Sequence, residues 1–215
     1  MRRTFLAWFF FASVLTLSAG ATKELGPLLR AAEAGDPEAQ FTLASTLYHG
    51  GSAEQAVGWL KKAAERKHPK AWRLLGDFHA KGLVAKGKAD QREAAACYLQ
   101  AASLGDAAAM GKLSECYFEG QGVARSAYAG VKWLRAAAQA GDQGSARLLA
   151  MRLAEGDDVP RDPAEAYQWL IVGADGFGQG LWTIKLAEYR AKVPASQRKA
   201  AEEAAAKVIR RKPGH

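Results

Sequence analysis

Leu113-Ser114-Glu115-Cys116-Tyr117-Phe118-Glu119-Gly120 decides the fold, because the same frame returns at Leu43 to Gly50, Leu75 to Gly82 and Leu149 to Gly156. Leucine stands first and glycine eighth in all four stretches, which are offset by 32, 38 and 36 residues. A period of this length marks an array of short structural units, each too small to bury its own apolar face. A second series keeps step with the first: Trp59, Tyr98, Trp133 and Trp169 each precede a small-residue run, namely Ala63-Ala64, Ala101-Ala102, Ala136-Ala137-Ala138 and Gly173-Ala174.

Breaks follow three of these runs, at Lys67-His68-Pro69, Gly105-Asp106 and Gly141-Asp142, and Gly35-Asp36-Pro37 closes the opening Ala31-Ala32 in the same way. Glycine tolerates the left-handed conformation that ends a helix, and aspartate accepts the free N–H groups that begin the next. Proline suits the first helical turn, where its missing N–H costs nothing. Ser52-x-x-Gln55, Asp90-x-x-Glu93 and Asp162-x-x-Glu165 read as capping boxes opening the second helix of a pair. Apolar residues such as Ala39, Leu43, Ala44 and Leu47 recur at helical spacing. The expectation is an all-α, right-handed solenoid of helix-turn-helix repeats at about 37–67, 69–104, 106–140 and 142–175, with a half repeat at 22–36. After Gly176, Gly178 and Gly180, capping helices occupy 176–215: one over Leu181 to Ala191 and a last, polar-faced one over Ala195 to Arg211.

The first 21 residues read as an export signal. Arg2 and Arg3 give a positive start, Phe5 through Leu17 an apolar run, and Ser18-Ala19-Gly20-Ala21 a small-residue cleavage site. The run falls short of the roughly 20 residues that span a bilayer, so cleavage near Ala21 and a periplasmic or secreted chain without stable membrane insertion are expected. Arg2-Arg3-Thr4-Phe5-Leu6 looks like a twin-arginine signal, but the short basic region suits the general secretory route better. The net charge of +8 falls to +6 when Arg2 and Arg3 leave, and it does not imply nucleic acid. A late cluster of Arg198, Lys199, Lys207, Arg210, Arg211 and Lys212 could meet anionic lipid or an acidic partner, although cations at a helix end favour the macrodipole without any ligand. Cys97 and Cys116 fall on neighbouring helices; the sequence permits a bridge and favours two separate buried thiols.

The frame A-x-x-x-L-G/A-x-x-Y/L-x-x-G, then A-x-x-W-L/Y-x-x-A-A-x-x-G, resembles the Sel-one-like repeat, a relative of tetratricopeptide arrays. Leu113, Tyr117, Gly120, Gly122, Val123, Trp133, Leu134, Ala137, Ala138 and Gly141 carry the match in the third repeat; Gly156, Val159, Asp162, Ala166, Trp169 and Leu170 carry it in the fourth. His79 at the tyrosine place, Lys67-His68 for Gly-Asp, and the short Gly50-Gly51 turn depart from it. The resemblance implies an alpha-solenoid that binds another protein or peptide, often in envelope, secretion or signalling assemblies.

Chemistry is sparse. His49, His68, His79 and His215 show no i, i+4 metal-binding pair, and no metal or cofactor is expected. Gly120-Gln121-Gly122 looks like a phosphate-loop fragment, but its glycines have a simpler use in the interhelix turn. Some cysteine-rich members of the family have been described as beta-lactamase-like, which leaves a cell-wall enzyme as the rival reading. No serine-x-x-lysine is followed by lysine-threonine-glycine here. A peptidoglycan or other glycan ligand is a third reading, resting on exposed tryptophans. For protein binding, the leucine register nominates a concave face. Two places before each leucine lie Phe41, Arg73, Gly111 and Arg147; two places after lie Ser45, Asp77, Glu115 and Met151; five places after lie Tyr48, Ala80, Phe118 and Ala154.

Overall fold

The computed structural model describes residues 19–84, 87–156, 159–176 and 180–211. The apolar export segment, Gly178, Lys212 and His215 lie outside the described residues, and the expected cleavage point at Ala21 falls in the first turn of a helix. Among the described residues all regular structure is helical. Helices α1 (Ala19–Glu33), α2 (Pro37–His49) and α3 (Ala53–Glu65) belong to one compact unit that ends at His68. A second unit, from Pro69 onward, holds the pairs α4 (Pro69–Ala80) with α5 (Gln91–Ser103), α6 (Ala107–Glu119) with α7 (Ala127–Gln139), and α8 (Gln143–Glu155) with α9 (Pro163–Ala174), followed by α10 (Leu181–Lys192) and α11 (Ala195–Ile209). Within this unit α5 packs on α6, α7 on α8, and both α10 and α11 on α9.

One backbone device closes the half repeat and each of the first three pairs. At the first break the Asp36 N–H donates to the Ala31 carbonyl and the Gly35 N–H to Ala32, at 3.1 Å each. Asp106 repeats this with Ala101, Asp142 with Ala137, and His68 with Ala63. These paired bonds form the Schellman motif, which places the penultimate residue in the left-handed region. Gly35, Gly105 and Gly141 sit there at φ 95°, 90° and 93°; Lys67 sits there at φ 61° although it carries a Cβ. The aspartate then caps the helix it opens: Asp36 accepts from Glu38 and Ala39, Asp106 from Ala109, and Asp142 from Ser145.

The turns inside the last three pairs are longer. Asp90 and Asp162 cap the second helices as their spacing predicts, each accepting two backbone N–H groups. Ser52 does not. The short Gly50-Gly51 turn leaves it at ψ 59°, outside the extended region a capping side chain needs, and its N–H instead closes on Leu47 at 2.8 Å. Ser126 does cap α7, through the Ala129 N–H. Gly122 lies against the backbone of Gln91 at the start of α5, so its φ of 72° and its missing Cβ seat the third repeat on the second. That is the turn role, not a phosphate loop.

The core follows the repeat. Leu43, Leu75, Leu113 and Leu149 are buried, as are Ala63, Ala64, Ala101, Ala102, Ala137 and Ala138 of the small-residue runs. Tyr98 and Trp169 are buried; Trp59 and Trp133 are half-buried. Trp169 donates to Glu165 at 2.9 Å, and Glu165 is gripped by both ends of the Arg135 guanidinium at 2.9 and 3.0 Å, which ties α7 to α9. Replacing Gly122 with alanine combines left-handed strain with backbone overlap and is expected to lower stability by about 2 kcal/mol or more. Gly87→Ala, at φ 90° with open space around it, carries the strain alone. Urea midpoints of the two variants should therefore differ, with Gly122→Ala clearly the lower.

Candidate functional site

A helix repeating every 3.6 residues turns one arc outward when the leucine of its frame points inward. On α4, α6 and α8 the places one before, two after and six after the leucine form that arc. They are Leu74, Asp77 and Lys81; Lys112, Glu115 and Glu119; Leu148, Met151 and Glu155. All nine are half-buried or exposed. Successive first helices lie side by side here, since Arg73 on α4 reaches Asp106 at the start of α6 and Gly111 on α6 lies against the Ser145 hydroxyl on α8. The result is a surface of alternating aliphatic and charged groups. In the unit ending at His68, the same three places of the frame are Thr42, Ser45 and His49, each half-buried or exposed.

Of the rows nominated from sequence, the one two places after the leucine keeps its place on this surface. Glu115 is exposed and pairs with Lys112 at 3.0 Å; Ser45 and Met151 are half-buried. Asp77 is half-buried and accepts the Tyr98 hydroxyl at 2.8 Å. Burial and then this hydrogen bond hold the phenol well above its usual pKa.

The row two places before the leucine turns elsewhere, to the junction that ends its own pair. Phe41 stacks on His68 with ring centroids 4.9 Å apart, and His68 in turn contacts Glu38 at 2.9 Å. Arg73 holds the capping carboxylate Asp106 at 3.1 Å. Gly111 has its alpha carbon against Ser145. Arg147 donates to the Gly173 carbonyl at 2.7 Å and lies 5.0 Å from the Trp182 ring. The angular step explains the difference: this place sits at the edge of the outward arc, on the side of the next repeat. These side chains are fastenings, partly covered, and the rows nominated from sequence include none of Leu74, Lys81, Lys112, Glu119, Leu148 and Glu155, the arc's other members.

Phe118 leaves the surface altogether. It is 5% exposed, with its ring filling the space above Gly130 and the Arg152 guanidinium 3.8 Å from its centre. The fifth place after the leucine faces the second helix of the pair, which is why an aromatic there is core; Tyr48 on α2 is half-buried. The same place anchors the turn through its carbonyl, because Arg125 donates to Phe118 O and Arg161 to Ala154 O, each at 2.8 Å. Both arginines precede a capping residue, a register the sequence carries but that the leucine count alone does not reveal.

No group of three His, Cys, Asp or Glu side chains among the described residues could hold a metal ion. Cys97 and Cys116 are free and buried rather than bridged. Burial first, and Glu93 second, push the Cys97 thiol up to about 11. Burial and Glu115 also raise Cys116, so neither is primed as a nucleophile.

The Sel1 repeat model matches residues 37–68, 69–106, 107–142 and 144–176. The chain belongs to the Sel1-repeat family. A crystal structure of a Sel1 repeat protein from Oxalobacter formigenes is 28% identical, with a TM-score of 0.67, over 84% of this chain and 76% of that one. A protective antigen of uropathogenic Escherichia coli that displays the same repeat fold is 21% identical, with a TM-score of 0.53, over 85% of this chain and 47% of that one. An uncharacterised protein of Neisseria meningitidis serogroup B is 32% identical over 159 residues, 74% of this chain. The chain spans about a third (32%) of that relative's length. The fold is therefore a helical repeat solenoid, and Sel1-repeat proteins are in general scaffolds for protein interaction.

A raised thiol pKa favours the neutral form in the folded Sel1 array. For Cys97 this contribution to stability is complete below the ordinary thiol value of 9.0 and is lost as pH rises through about 11. Native protein at pH 8 should leave both thiols unlabelled by iodoacetamide, whereas urea-unfolded protein should take two labels by mass spectrometry. Stability should fall between pH 9 and 11 less steeply in Cys97→Ala.

Proposed function

We propose that this Sel1-repeat chain is an exported interaction scaffold, and that a partner protein or peptide in the cell envelope docks across the outward arc of the first helices. The observation that carries this is the surface formed by Leu74, Asp77, Lys112, Glu115, Leu148 and Met151 on three neighbouring first helices. Aliphatic groups set between charges give a partner both area and register. The aromatic and arginine anchors expected from the sequence serve the array itself, so specificity falls to the smaller groups around Glu115 and Met151.

Export rests on the amino-terminal pattern of Arg2-Arg3, the apolar run and Ser18 to Ala21. Among the described residues no helix is long and apolar enough to cross a membrane. The test is capture from periplasmic extract with tagged protein recovered from that compartment, its mass read at the same time. The expected bait begins at Thr22, and Glu115→Lys with Met151→Lys loses the partner while circular dichroism stays unchanged. An uncleaved cytoplasmic bait would contradict export. Equal capture by the double variant would contradict the surface.

A further inference from the structure

The positive charge of the chain is concentrated at its end. Residues 4–179 hold 19 Lys and Arg against 19 Asp and Glu, whereas residues 180–211 hold eight against three, a net +5. The repeats are neutral and the cap is not. Each acidic side chain of the cap already faces a cation of the cap: Glu188 meets Lys192 at 2.6 Å, Glu202 meets Arg190 at 3.6 Å, and Glu203 meets Lys199 at 4.0 Å.

The same cap carries the two most exposed large aliphatic side chains among the described residues, Leu181 at 62% and Ile184 at 69%. On α10 they share a face with the exposed Ala187 and Ala191 and with Glu188, whose carboxylate is paired with Lys192. Lys185 and Lys192 border this stripe on one side and Arg190 on the other. The opposite face, with Trp182, Leu186 and Tyr189, packs into the core. The outward face of α10 thus carries two protruding aliphatic side chains among cations, with its one carboxylate already paired, a combination that suits a membrane interface.

Three occupants can be compared on charge and shape. A second copy pressing the same face against this one would oppose +5 with +5. A folded acidic protein would need preformed hollows for Leu181 and Ile184, which stand out from the surface instead of lining a cleft. An anionic bilayer answers both features, since it is negative and fluid enough to close around protruding side chains. We propose that the C-terminal cap docks on an anionic lipid surface, with Leu181 and Ile184 entering the headgroup–acyl boundary and the cations of α10 and α11 set over lipid phosphates.

A local probe tests this in the full chain, because Cys97 and Cys116 are buried and an Ala187→Cys variant can be labelled selectively with an environment-sensitive dye. The label reports immersion of α10 independently of whatever the apolar N-terminal run does. The dye should shift to the blue on phosphatidylcholine vesicles containing phosphatidylglycerol, not on phosphatidylcholine alone, and salt of about 0.5 M should reverse the shift. Leu181→Ser with Ile184→Ser, and separately Lys185→Gln with Lys207→Gln and Arg211→Gln, should each weaken binding at least about tenfold. Circular dichroism checks that both variants stay helical. A silent dye while the protein pellets with vesicles would overturn the proposal, as would equal response to neutral vesicles. A response to polyglutamate but not to vesicles would overturn it in favour of an acidic protein partner.

Discussion

Between consecutive helix pairs the chain reverses in three residues, and the N–H that closes the old helix belongs to the residue whose side chain opens the new one. At Asp106 the backbone donates to Ala101 while the carboxylate accepts from Ala109. Asp36 and Asp142 do the same. Because both bonds share one residue, the angle between a second helix and the first helix that follows is fixed by local chemistry before any side chain packs. A three-residue link has little freedom of its own, so the small residues at its flanks are what let the helices close up.

This constraint explains why the binding-type residues named from the sequence are mostly spent inside the molecule. Each junction needs a neighbour to cover it, and the place two before the leucine is the one within reach. The identity of that neighbour tracks the junction. Asp106 receives an arginine, and His68, where lysine and histidine replace glycine and aspartate, receives the ring of Phe41. The departure at Lys67-His68 is thus compensated within its own repeat, with Lys67 still held at φ 61° by the bonds that hold glycine elsewhere. What remains facing outward is the arc centred on Glu115 and Met151, and at the end of the array the basic cap.

The helices and their junctions were legible because they depend on local rules: a left-handed glycine, a capping aspartate, and an apolar residue every three or four places. The leucine frame likewise named the core positions. It did not separate an outward side chain from one at the edge of the arc, because a step of one residue on a helix is 100° and the neighbouring repeat, not the helix itself, decides which edge is covered. Phe118 illustrates the loss. Its companion is Gly130 on the partner helix, and only their pairing makes an aromatic at that place a core residue. The capping failure of Ser52 has a similar origin in the length of its turn, two residues of glycine that change the entry of the helix without changing the Ser-x-x-Gln pattern.

Native-state hydrogen exchange at the amides of Asp36, His68, Asp106 and Asp142 tests most directly whether the junctions organise the fold. Protection at all four should equal that of the buried helix interiors beside them, because each of these N–H groups closes a helix and cannot open alone. Exchange at the rate of an open surface loop, with the flanking helices still protected, would contradict it.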